Sequence, residues 1–201
     1  MQSEVKLIGG AMVMLALSTS ALVVLPMLQV RDVEPLPGLK PYTSTEWRGR
    51  EVYIANGCIY CHTQQPRAKS FAPDFSRGWG RATVAGDYAY DTPHLLGTMR
   101  TGPDLMNIGV RQPSEQWQLG HLYQPRAYVP DSIMPSYPYL FEIKPKADDG
   151  EIVVNLPPTA APANGQVVVA RPEAVDLVRY LQSLDRSYPA LPAAEAEVAK
   201  P

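Results

Sequence analysis

The chain has 201 residues, 45% of them hydrophobic and 19% charged, with a formal net charge of −2. That length allows one sizeable domain plus an anchor, and the lack of any Lys/Arg cluster excludes nucleic acid as a partner, because phosphate binding needs concentrated positive charge. Twenty-one prolines stand against three phenylalanines, which predicts a loop-rich domain whose core is completed by something other than aromatic side chains.

In chain order, the first feature is Leu7 to Val30, a run without a single charge. As a helix it would span roughly 36 Å, enough to cross a bilayer core with some tilt. Gly9, Gly10, Ser18, Thr19 and Ser20 give it small side chains suited to packing on other helices, and Pro26 is tolerable near its far end. The run is longer than the roughly 7–15-residue core of a cleaved signal peptide, so an uncleaved single-pass anchor is expected over residues 1–30. The flanking charges, Glu4 and Lys6 before it and Arg31, Asp32, Glu34 and Lys40 after it, do not set its orientation.

Residues 31–42 read as a proline-rich extended linker. Thr43 and Glu46 then form a capping-box pattern, predicting a helix over 45–57 that stops at Gly57. Residues 63–110, rich in Gly, Pro, Asp and Tyr, read as ordered loops around a prosthetic group. Ser114 caps a helix over 115–123 that carries Trp117 and His121 on one face. The stretches 150–158 and 165–173 resemble each other, each with a β-branched run. They predict a small β-hairpin, strands 151–155 and 166–170, within an insert at 142–170; a duplicated linker is the competing reading. Ala174, Leu177, Val178, Leu181 and Leu184 follow helical spacing after Pro172, predicting a helix over 171–184. The segment 189–201 reads as a mobile tail. The fold class is therefore mainly α, with a domain over 43–188.

Cys58-Ile59-Tyr60-Cys61-His62 carries the chemistry. The only two cysteines in the chain lie too close together for a structural disulfide to restrain a useful loop. As C-x-x-C-H they read as the attachment site of one covalently bound haem c: both sulfurs bond the porphyrin edge, and the next imidazole reaches the iron. A thioredoxin-like pair wants a βαβ context, and a zinc site wants further paired ligands; neither is in view. For the opposite face of the iron, Met134 in Asp131-Ser132-Ile133-Met134-Pro135 is the candidate, because a thioether opposite histidine raises the potential of an electron carrier. A gap-filling core role is its alternative, and Met99, Met106, His94 and His121 are rivals. The Pro103 carbonyl is a plausible acceptor for the second nitrogen of His62. Arg111 suits either a haem propionate or solvent. His121 reads as a structural histidine.

The segments Glu51-Val52-Tyr53-Ile54, Gly57 through His62, Val84-Ala85-Gly86, Arg100 through Leu105, His121-Leu122-Tyr123-x-Pro125-Arg126 and Val129-Pro130-x-Ser132-x-Met134-Pro135-x-Tyr137-Pro138 resemble the mono-haem cytochrome c subunit of cbb3-type cytochrome c oxidases. Leu177-Val178-x-Tyr180-Leu181 is similar to the closing helix of class I cytochromes c. Gln65–Arg81 and the 142–170 insert depart from the pattern. The resemblance implies a class I cytochrome c domain, His62/Met134 ligation and residence in a bacterial inner membrane with the haem domain in the periplasm. It also implies that electrons arrive from a further cytochrome c subunit or a soluble cytochrome c. They pass to haem b of a catalytic haem–copper oxidase subunit, so the chain does no substrate chemistry alone. The alternatives are the small subunit of a nitric oxide reductase, a free-standing tethered carrier, and a gas-sensing or peroxidase-like haem protein.

Overall fold

The fold is that of a computed structural model, which describes residues 2–67, 76–97 and 100–190. Most of the expected tail, from residue 191 onward, lies outside the described residues, as does Met99. The first helical run, α1, joins Gln2–Thr19, a π-helical turn Ser20–Val24 and Leu25–Val30. The Leu25 N–H donates to the Ser20 carbonyl, one residue wider than an α-helical bond. This widened turn lies directly before Pro26, whose missing N–H interrupts the α-helical ladder. The helix Ser3–Gln29 contains an apolar window of mean hydropathy 2.2, and none of that window is buried against the rest of the chain. The helix is long and apolar enough to cross a membrane.

The Thr43 capping box forms as read. Thr43 Oγ1 accepts from Glu46 N at 3.3 Å, and Thr43 N donates to Glu46 Oε2 at 2.6 Å. The helix it starts, α2, runs Ser44–Ala55. It stops slightly short of the expected end because Gly57 takes a left-handed conformation, φ 69°, which needs no Cβ to be accommodated. Among the described residues, α3 (Cys58–Cys61), α4 (Ile108–Arg111), α5 (Glu115–Tyr123) and α6 (Pro172–Ser183) follow. Ser114 caps α5 by accepting from Trp117 N.

The sheet differs from the two-stranded hairpin expected. It has three antiparallel strands, β1 (Phe141–Lys144), β2 (Ile152–Val153) and β3 (Val167–Ala170), in the order β1-β3-β2. β3 is central, pairing Phe141 with Ala170 on one edge and Ile152 with Ala170 on the other. β2 is short because Pro157 and Pro158 follow closely and cannot donate to a ladder, although Val154 N still reaches Val168 O at 2.8 Å.

The core lies where α6 crosses α2. Ala174, Leu177, Val178, Tyr180 and Leu181 of α6 are buried. Gly49 permits the crossing, since a Cβ there would strike the Asp176 carbonyl and lie 2.8 Å from Tyr180 Cβ. Gly109 of α4 likewise presses on the Gln182 carbonyl, and its N–H donates to Leu184 O at 3.1 Å. Two buried polar clusters tie the loops to this frame. Arg50 and Asp91, only 2% and 1% exposed, face each other at 3.6 Å. Asp87 gathers Arg81 (2.7 Å to each oxygen), Val84 N (2.8 Å) and the Tyr188 hydroxyl (2.9 Å). The linker lies along the domain: Leu36 N donates to Gly86 O at 3.4 Å, and Gly38 packs on the Tyr188 ring.

Gly49→Ala forces backbone apart at the crossing and is expected to destabilise the domain by about 1–3 kcal/mol. Thermal unfolding of the full chain checks this; an unchanged melting temperature would mean that α2 and α6 are not in backbone contact.

Candidate haem-binding site

The left-handed turn at Gly57 redirects the chain at the end of α2, and one helical turn then holds both thiols. Tyr60 N donates to Gly57 O at 3.0 Å and His62 N to Cys58 O at 2.9 Å. The i, i+3 spacing places Cys58 and Cys61 on one side of that turn. Both are free thiols, Cys58 buried and Cys61 exposed. Burial pushes the Cys58 thiol up to about 11, partly offset by a hydrogen bond with Tyr137.

His62 leaves the helix at φ −116°, ψ 52°, and its carbonyl is fixed by the Tyr53 hydroxyl at 2.6 Å. Its Nδ1 lies 2.8 Å from the Pro103 carbonyl oxygen. A carbonyl only accepts, so Nδ1 carries the proton and the Nε2 lone pair is left for a metal. Burial lowers the proton affinity of the ring, against the opposing pull of Pro103, which favours the neutral, ligating form. Gly102 lies flat against this imidazole: a Cβ there would collide with Cε1 and stand 2.7 Å from Nδ1. Its N–H donates to Cys61 O at 2.9 Å. Two thiols on one turn beside an oriented neutral imidazole with a free Nε2 fit a covalently held haem.

Met134 is partly buried and packs against the core, with its N–H donating to Ser132 Oγ at 3.2 Å. The segment that follows it reaches the cysteine turn. Tyr137 meets Cys58, and the Tyr139 hydroxyl donates to Asn56 Oδ1 at 2.6 Å. Among the rivals, Met106 is buried in the core at 3% exposure and His94 is exposed. His121 stacks on Trp117, with ring centres 4.7 Å apart and planes 9° off parallel, and meets Tyr128 edge-on at 6.1 Å. Arg111 lies over the Trp79 ring at 4.3 Å, with Arg77 at 4.9 Å from the same ring, and donates to the Asp104 carbonyl.

Sequence reasoning did not assign roles to Tyr53, Tyr137 and Trp79. For Tyr137 a signal existed, since Pro135 and Pro138 stiffen the chain on both sides of it. Nothing local marks Tyr53 or Trp79.

Among known families, the one described as cytochrome c oxidase, mono-heme subunit/FixO matches residues 2–157. The match takes in α1, the cysteine turn, the Pro103 loop and Met134, and ends before β3 and α6. No curated protein matches the chain.

Burial holds the His121 proton affinity down to about 4. As pH falls from about 6.5, the unfolded chain takes up this proton before the folded chain does. Stability should therefore be full above about 6.5, decline towards pH 4 and level off below it. His121→Phe, which keeps a ring on Trp117, should flatten this stretch of a stability–pH curve from urea unfolding; an identical slope in the variant would contradict the assignment.

Proposed function

The chain belongs to the mono-haem subunit family of cytochrome c oxidases, and from that premise we propose that it is the membrane-anchored electron-entry subunit of a haem–copper oxygen reductase. As a member of that family it is an oxidase subunit with one haem. We take Cys58 and Cys61 as the residues that would hold the haem through thioether bonds, and His62 and Met134 as those that would ligate its iron. The domain we read as a class I cytochrome c domain, which the close crossing of α2 and α6 at Gly49 supports. When bound, the haem supplies a one-electron couple.

The residues of the chain prepare a site for that couple. Pro103 O holds the Nδ1 proton of His62, which raises ligand basicity and fixes the ring plane. Gly102 gives the loop room to approach the ring. Met134, stiffened by Pro135, presents a thioether, a neutral ligand that favours the reduced state. With His62 and Met134 both serving as ligands, the iron would be closed to O₂, so O₂ chemistry would fall to the catalytic subunit, whose haem b would accept the electron. The donor is a further cytochrome c subunit or a soluble cytochrome c. α1 anchors the chain in a bacterial inner membrane. The haem domain lies in the periplasm, the side on which c-type haem attachment takes place. The observation that carries the proposal is the 2.8 Å contact between His62 Nδ1 and Pro103 O beside the paired thiols. The family match favours an oxidase over a nitric oxide reductase.

Met134→Ala in the full chain should lower the reduction potential and let the ferrous protein bind carbon monoxide, which the parent resists. A variant with the parent's potential and no carbon monoxide spectrum would take Met134 out of the ligand set.

A further inference from the structure

The acceptor for His62 is a backbone carbonyl on an exposed stretch, with both Thr101 and Pro103 solvent-facing. Pro103 has no N–H with which to anchor itself. The position of its carbonyl must therefore be fixed by the residues on either side, and one side chain does most of this. Arg100 is 3% exposed. Its Nε donates to Thr63 O at 3.2 Å and its Nη2 to Gln65 O, both just beyond His62. Its Nη1 lies 3.1 Å from Asp104 Oδ2, the residue just beyond Pro103. Asp104 is held in turn, since its Oδ1 accepts from Met106 N at 2.8 Å and its carbonyl from Arg111. One planar guanidinium thus touches the chain next to the donor and the chain next to the acceptor of the same hydrogen bond.

We propose that Arg100, working against Asp104, is a positioning residue that sets the strength of the His62–Pro103 hydrogen bond and thereby tunes the axial ligand. This rests on the haem reading above. The rigid fork of arginine meets three acceptors in fixed directions, which the point charge of lysine does not. The strength of the hydrogen bond on the outer nitrogen governs how basic the ligating nitrogen is, so the clamp would act on the ligand through the loop.

The test uses full-length, haem-loaded, reduced protein labelled with ¹⁵N-histidine; with three histidines in the chain, the His62 Nδ1–H signal is resolvable. Its solvent exchange is compared with that of core amides in α6. Arg100→Lys keeps the charge and should speed Nδ1–H exchange roughly tenfold, the scale of one net hydrogen bond, without a matching change in the α6 amides. Asp104→Asn, which leaves the bonds to Thr63 and Gln65, should give a smaller change in the same direction. Unchanged exchange in both variants, or acceleration in step with the α6 amides, would overturn the proposal. If Arg100→Lys does not fold, Asp104→Asn decides by the same criterion. Loss of covalently held haem from the parent protein would instead overturn the haem reading, so the two failures are distinct.

Discussion

A histidine that ligates iron must be held by its other nitrogen, or the ring rotates and the ligand field varies with it. For the proposed ligand His62 that restraint is the hydrogen bond from its Nδ1 to Pro103 O at 2.8 Å. It is possible only because Gly102, lacking a side chain, lies against the imidazole while its own N–H reaches back to Cys61 O. The loop from 100 to 104 and the turn from 58 to 62 therefore act as one unit. Each would lose its conformational definition without the other.

The rest of the domain supports this pair from both directions. Tyr53, on α2, donates to the His62 carbonyl and packs on Tyr180 of α6, with ring centres 5.5 Å apart. The helix crossing at Gly49 thus extends to the backbone of His62. Gln64, two residues on, donates to the Tyr180 hydroxyl at 2.8 Å and receives the Tyr88 hydroxyl on its carbonyl. From the opposite direction, Tyr137 and Tyr139 bring the Met134 segment onto Cys58 and Asn56. The proposed axial residues thus sit on segments that converge on one turn, although 72 positions separate His62 and Met134 in sequence (134 − 62).

Much of this was legible because it is local. The capping box at Thr43–Glu46 and the N-cap at Ser114 each depend on residues three apart, and both helices begin where those patterns place them. The periodicity of α6 reports a buried stripe, and its apolar positions are buried. The three-residue spacing of Cys58 and Cys61 likewise places both thiols on one helical turn. What escaped reading is long-range. β1 is four residues with Ile143 facing solvent, so alternation does not reveal it, and only β3 gives it a partner. Arg50 and Asp91 look like ordinary surface charges until both are buried against each other. Arg111, which sequence left between a propionate and solvent, stands over Trp79, a pairing that no spacing rule connects. Arg100 belongs to the same class: its identity was visible, but its reach to Thr63, Gln65 and Asp104 was not.

The proposed function requires above all that Cys58 and Cys61 each hold the same porphyrin covalently. Intact mass of the full chain under denaturing conditions tests this directly. The expected result is a polypeptide heavier by one haem, falling to the unmodified mass only when both cysteines are replaced. A parent chain at its unmodified mass, with all pigment passing into acidified acetone, would contradict it.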